Sequence, residues 1–322
     1  MQISGTIMQI TPQTDTVNPM FTLAYLSDPH LAPLPRPTLP ELMSKRIFGY
    51  LNWLRSRKGI HDRSILDALT KDLLLQPTDH IAVGGDLVNL SLRDEFAHAL
   101  DWLQSLGSTE KVSVVPGNHD AYVRFDYSSG IGLWEAYMRS GKEKTKQLNP
   151  SQNGFPYVRR FGKIALIGIN SGIPTAPFVA AGEVGPVQRS ALDHLLSKLG
   201  KQDFYRIVMI HHPPLIGQIS ARRGLRDVIE LEGILKERGA ELVLYGHRHF
   251  HCVDTLDTIS GTASIIGLPS ASSCDERPGH LARYNLFHIW NRGGKWHCEM
   301  TGRGLHTRDG EIKQLECRIL TQ

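Results

Sequence analysis

Five times in this chain an apolar run stops and a cluster of oxygen- or nitrogen-bearing side chains begins. Asp28 and His30 follow residues 21–26, Asp86 follows 81–83, Asn118 and His119 follow 112–115, His211 follows 207–210, and His247 and His249 follow 241–245. Asp86, placed behind Gly84 and Gly85, would on its own be equally a plain turn. Four further strand ends of the same kind give it neighbours, because the carboxyl ends of strands are where open α/β sheets place their ligand sites. The set combines carboxylate, amide and imidazole with no thiolate, which suits Mn, Fe or Zn and is too rich in nitrogen for a calcium cage. Eight such groups exceed what one tetrahedral site needs, so two metal ions a few ångströms apart are expected. Asp86, with two oxygens and a central place in the order, is the candidate for bridging them.

The elements that must position these residues read as alternating strands and helices. Residues 21–26 and 81–83 are apolar runs short enough for buried strands. The proline-rich stretch 31–40 can be neither helix nor central strand and must be a surface loop beside the first pair. Helices are expected over 41–58, 62–76, 91–105, 186–199 and 225–238, and a helical section over 121–149 anchored by Trp134 and Tyr137. Strands are expected over 157–169 with a turn at Gly162, and over 263–268, 284–289 and 296–300 in a more antiparallel half. One α/β domain over 20–322, with two packed sheets and outer helices, is the simplest account. Residues 1–19 read as a disordered extension, and Met20 is a second candidate start.

Composition bounds the function more loosely. The chain has 322 residues, 41% hydrophobic and 21% charged, as in an ordinary globular protein. Its net charge of +4 is too mild to argue for nucleic acid. Residues 41–58 carry Lys45, Arg46, Arg55, Arg57 and Lys58 against Glu41 alone, a surplus equal to that of the whole chain. Cys252, Cys274, Cys298 and Cys317 have no metal or redox spacing and read as reduced thiols of a cytoplasmic protein.

The ordered blocks Asp28-x-His30, Gly85-Asp86-x-x-Asn89, Gly117-Asn118-His119-Asp120, His211-x-Pro213 and Gly246-His247-x-His249 resemble the calcineurin-like metallophosphoesterase superfamily, over about two thirds of the chain. The resemblance implies a four-layer αββα sandwich, two mixed sheets flanked by helices. It also implies that Asp28, His30 and His249 hold one metal, that Asn118, His211 and His247 hold the second, and that Asp86 bridges. A hydroxide held by the metals would attack phosphorus, with His119 protonating the leaving oxygen or steadying the phosphoryl group. Asn89-Leu90-Ser91 stands where the protein phosphatases of the superfamily carry Asp-Arg-Gly, and the tyrosine of purple acid phosphatases is missing. The blocks are most similar to bacterial phosphodiesterases of the cyclic-nucleotide and glycerophosphodiester type.

Other residues are open between roles. His212 is expected to support a ligand or touch substrate, and Asp120 to orient His119 or cap a following helix. Arg248 reaches the phosphate or faces solvent, and Asn89 supports the site or meets substrate. His98, His194, His251 and His288 are expected to be satisfied or surface histidines. The 41–58 segment, with Phe48, Tyr50 and Trp53 among its basic residues, reads either as a helix packed on the sheet or as an interfacial helix meeting anionic lipid, and in both cases as a lid beside the cleft. Gly49 in its middle argues against a purely structural rod. The expectation is therefore a small phosphodiester substrate, with a phospholipid substrate at the inner face of the membrane and a non-catalytic scaffold as rivals.

Overall fold

A computed structural model describes residues 20–56, 59–141 and 154–320. The expected extension over 1–19 and the end of the expected helical section, 142–149, lie outside the described residues. In chain order the elements are β1 (Phe21–Leu26), α1 (Leu39–Leu42), α2 (Arg46–Arg55), α3 (Arg63–Leu74), β2 (His80–Val83), α4 (Arg93–Leu106) and β3 (Val112–Val114). After two short 3-10 turns come β4 (Tyr157–Phe161), β5 (Ile164–Gly168), α5 (Pro186–Lys201), β6 (Tyr205–Met209), α6 (Val228–Arg238) and β7 (Leu242–Tyr245). The last elements are β8 (Cys252–Thr258), β9 (Gly261–Gly267), β10 (Arg283–Arg292), β11 (Lys295–Leu305) and β12 (Ile312–Leu320).

These strands form two six-stranded mixed sheets, ordered β12-β11-β10-β1-β2-β3 and β4-β5-β6-β7-β9-β8. Strands β1, β2, β3, β6 and β7 are buried along their whole length because both faces of each sheet are covered there. Leu23 and Tyr25 of the first sheet share one core with Ile207, Met209, Leu242 and Leu244 of the second. Leu66, Leu69 and Leu73 of α3 and Phe96 and Leu103 of α4 join that core, whereas Leu192 and Leu196 of α5 and Leu231 and Leu235 of α6 pack with Val208 and Val243 in another. The result is an α/β architecture of two sheets with flanking helices.

β1, β2 and β3 are adjacent and parallel, as are β6 and β7. Their carboxyl ends carry all five polar clusters, so parallel pairing alone brings those clusters to one edge of each sheet. Among the described residues no helix is long and apolar enough to cross a membrane, and the four cysteines are free.

The helix expected over 41–58 is broken. Ser44 Oγ donates to the Glu41 carbonyl at 2.9 Å and accepts from Arg46 N at 3.2 Å, closing a turn between α1 and α2. The section after Asp120 forms 3-10 turns at Tyr127–Ser129 and Ile131–Met138. Its buried residues Ile131, Trp134 and Tyr137 recur every third position, the period of the tighter helix. The edge strands β8 and β12, with mixed polar and apolar faces, escaped the sequence patterns.

Candidate metal centre

Each ligand loop is held by polar contacts to its neighbours. Asp28 N donates to the Gly85 carbonyl, and His30 N to the Asp86 carbonyl, so the β1 and β2 loops run paired. The fully buried Asp120 carboxylate accepts from the backbone N–H groups of Asp86, Leu87, Val88 and Gly117 at 2.8–3.1 Å. Asp120 therefore neither caps a helix nor bonds the His119 ring; it ties the β2 loop to the β3 loop. Burial, and the neighbouring Asp86 charge, push its carboxyl up to about 7. The second sheet joins through His211, whose Nδ1 lies 2.8 Å from the Gly84 carbonyl, and through His247 N, which donates to Asp28. Gly246 lets the loops close this tightly, since a Cβ there would stand 2.1 Å from Ser27 Oγ.

Two of the groups of candidate ligands that result contain only residues expected from the sequence: Asp28, His30, Asp86 and His249, and Asp86, His211 and His247, the ligand atoms of each lying within 4.8 Å of one another. Asp86 belongs to both. Its Oδ2 is 3.7 Å from His30 Nε2 and 3.3 Å from His211 Nε2, while Oδ1 accepts from His119 N at 2.8 Å. His249 Nε2 stands 3.1 Å from Asp28 Oδ1 and 3.3 Å from His30 Nε2. Asn118 Oδ1 joins the second group, 2.7 Å from His247 Nδ1 and 3.2 Å from His211 Nε2.

The donor chemistry fits metal ions. His30 Nδ1 and His211 Nδ1 face the carbonyls of Val88 and Gly84, which can only accept, so each ring carries its proton there and turns Nε2 towards Asp86. Burial opposes the charge on Asp86, and the imidazoles of His211, His119 and His30 outweigh it, holding its carboxyl well below the usual range. Burial likewise pushes His211 down, but Asp86 and Asp28 overcome it and lift the ring to about 10. The pocket thus draws positive charge to Asp86, as a cation site must. Burial, helped by the other imidazoles, keeps His247 and His212 neutral, His212 at about 3.

Asp28, His30, Asp86, His247 and His249 all have positive φ, between 39° and 66°. Such backbone is sparsely populated for residues with a Cβ and clusters at functional sites.

The remaining candidates divide. His119 lines the cleft, and its Nδ1 donates to the Asn89 carbonyl at 2.5 Å. Asn89 Nδ2 donates to the Leu31 carbonyl, joining the first two loops. His212 is fully buried, 2.8 Å from Ser171 Oγ and packed on the His247 ring, so it supports a ligand and does not meet substrate. Arg248 lines the cleft, with its guanidinium over the Phe250 ring. His251 bonds Glu316, His288 bonds Thr22, His194 bonds the Ser190 carbonyl and His98 is exposed, all as expected of satisfied or surface histidines.

Two residues lay beyond sequence reasoning. His61 packs 4.4 Å from the His30 ring and groups with His30 and His249, its Nδ1 at 2.9 Å from Ser272 Oγ. It follows no strand, so only an unexplained histidine just before the helix-capping Asp62 could have drawn attention. Arg223 lies in a loop without a motif and lines both cavities at the site.

These cavities are a cleft of about 390 Å³, bordered by His61, Asp86, His247, His249 and the arginines 223, 248 and 277, and a groove of about 500 Å³ under α2. They share Asn118, His119, Ala180 and Arg223.

A family model described as calcineurin-like phosphoesterase matches residues 21–251. Among solved structures, the chain is similar to a dimetal phosphatase from Danio rerio, with TM-score 0.61 and 17% identity over 92% of this chain and 99% of that one. It is also similar to the purple acid phosphatase PPD1 from yellow lupin seeds, with TM-score 0.57 and 12% identity over 92% of this chain and 53% of that one. The chain thus spans about half the length of the lupin enzyme. At these identities the likeness is one of fold. No curated protein sequence matches.

Proposed function

This chain belongs to the calcineurin-like phosphoesterase family, a family of dinuclear-metal phosphoester hydrolases, and on that premise we propose that it is a phosphodiesterase. The observation that carries the diester reading is the junction at Asn118 and His119, where two cavities of different character meet. A phosphodiester has two ester arms that diverge from phosphorus, and the junction offers one space to each. A monoester would leave one of them unused.

In this reading Asp28, His30 and His249 would hold one ion, Asn118, His211 and His247 the other, and Asp86 would contribute to both. Manganese, iron or zinc fits these oxygen and imidazole donors. When bound, the pair supplies a water of lowered pKa and neutralises phosphoryl charge. The protein's own groups do the rest. Asp120 fixes the Asp86 and Asn118 loops in register, and His212 keeps the His247 ring in place. His119, whose Nδ1–H is committed to Asn89, presents Nε2 as proton donor to the leaving oxygen. Arg223, at the rim of both cavities, steadies a non-bridging phosphoryl oxygen. Four free cysteines fit a reducing compartment, and the cytoplasm is the proposed location.

Manganese-loaded enzyme assayed on bis(p-nitrophenyl) phosphate and p-nitrophenyl phosphate tests the reading. We expect kcat/KM at least ~10-fold higher on the diester, a difference of about 1.4 kcal/mol in transition-state binding. The opposite ranking would sink the diester assignment.

A further inference from the structure

The helix α2 lies beside the site with the basic residues at its start, Lys45 and Arg46, turned inward and with Ile47, Phe48, Leu51 and Leu54 exposed, which an ordinary surface helix would bury. Lys45 Nζ donates to the Thr175 carbonyl at 2.7 Å and sits 4.2 Å from the Tyr122 ring centroid. Arg46 donates to the carbonyls of Leu90 and Ser91, on the same loop that carries Asp86. Gly49 approaches Leu90 and Tyr122 so closely that a Cβ would stand 2.6 Å from each. This close seat accounts for the glycine that looked out of place in a structural helix.

No residue of α2 is buried. Phe48 is 45% exposed, Leu51 50% and Leu54 49%, and the flanking Leu39 and Met43 are above 80%. Across the groove, Phe178 is 81% exposed, adopts a positive φ of 62° and faces the Phe48 ring at 5.4 Å. A bulky apolar residue held in left-handed backbone and in water gains nothing for the fold. Together Phe48, Leu51, Trp53, Phe178 and Val179 wall the groove, whose inner end is Asn118 and His119. An exposed apolar patch continuous with a catalytic cleft marks a ligand surface.

Resting on the phosphodiesterase reading, we infer that this groove is the subsite for an apolar tail, so that the substrates are amphiphilic phosphodiesters. One ester arm is a hydrocarbon chain that leaves phosphorus at the Asn118–His119 junction and runs between α2 and Phe178. The other, polar arm lies in the arginine-rimmed cleft. Lys45 and Arg46 are engaged inward, and apolar contact with Phe48, Leu51, Trp53 and Phe178 provides the selectivity for the tail.

The test uses p-nitrophenyl alkyl phosphates from methyl to decyl, each below its critical micelle concentration, with manganese-loaded full-length protein. Water adds its hydroxyl to phosphorus, the aryl P–O bond breaks, and nitrophenol leaves with the proton while the alkyl phosphate remains. KM is expected to fall about four-fold for each methylene the groove takes from water, and to level off when the groove is full. Phe48→Ala and Phe178→Ser should flatten that dependence, and because both side chains are exposed the variants should keep the parental Tm. Equal KM for all chain lengths would overturn the inference while leaving the phosphodiesterase reading intact. A dependence that survives in both variants would also overturn it, by moving the tail elsewhere. Hydrolysis of no alkyl ester by the metal-loaded protein would instead overturn the reading beneath it.

Discussion

At the scale of single residues, Asp86 and His119 separate holding from reacting. Asp86 stands in both ligand groups, whereas His119 touches them through its backbone N–H and lends its ring to the cleft. Asp86→Asn is expected to lose metal and activity together. His119→Ala is expected to keep its metal and lose about 10²- to 10⁴-fold in kcat, the usual worth of a positioned proton donor. Elemental analysis beside initial rates checks both, and full metal occupancy in Asp86→Asn would refute the shared ligand. Asp120→Ala has a different signature. It strips the acceptor from four buried N–H groups, each costing about 1–3 kcal/mol when orphaned. A large drop in Tm is expected in chelator as well as in manganese, which a residue acting only in chemistry would not give.

At the scale of elements, what the sequence disclosed followed from burial. Strands β1, β2, β3, β6 and β7 are covered on both faces, so they stand out as short, predominantly apolar runs, and the clusters behind them were legible with them. β8 and β12 sit at sheet edges with one wet face and carry charges among their apolar residues, which blurs the pattern. The 41–58 segment shows helical periodicity, but periodicity cannot say which face meets the protein, and here polar anchors decide. His61 shows the same limit: α3 and the Ser270–Ser273 loop bring it to the site, a long-range meeting that no local spacing records. One anchor between elements carries a pH prediction. Asp72 of α3 accepts from Arg303 of β11 at 2.7 and 2.8 Å and from Tyr284 of β10 at 2.5 Å. Burial opposes its charge, but Arg303 and Tyr284 outweigh burial and hold the carboxyl below its usual value. A depressed folded-state pKa gives stability that is present above the unfolded value, near 4, and is lost as pH falls through the folded one. Asp72→Asn should therefore lower Tm at neutral pH and shrink the fall of Tm below about pH 4. An unchanged pH profile would count against the anchor.

At the scale of the molecule, the candidate ligands come from both sheets: Asp28, His30, Asp86 and Asn118 from one, His211, His247 and His249 from the other. Metals seated there would tie the two halves of the sandwich together. Removing them is expected to abolish hydrolysis and to lower Tm by several degrees, with added manganese restoring both, since a ligand that binds only the native state stabilises it by mass action. Calorimetry with and without chelator reads the effect, and a Tm indifferent to chelator would place no metal between the sheets.

The positive φ values of Asp28, His30, Asp86, His247 and His249 bear on how this protein can vary. Left-handed backbone costs a residue with a Cβ roughly 1–2 kcal/mol, and glycine escapes that cost. At all five positions the residue that folds most easily is thus one that cannot bind, and catalysis and robustness draw the sequence in opposite directions. A lineage released from catalysis would gain stability by discarding these side chains first.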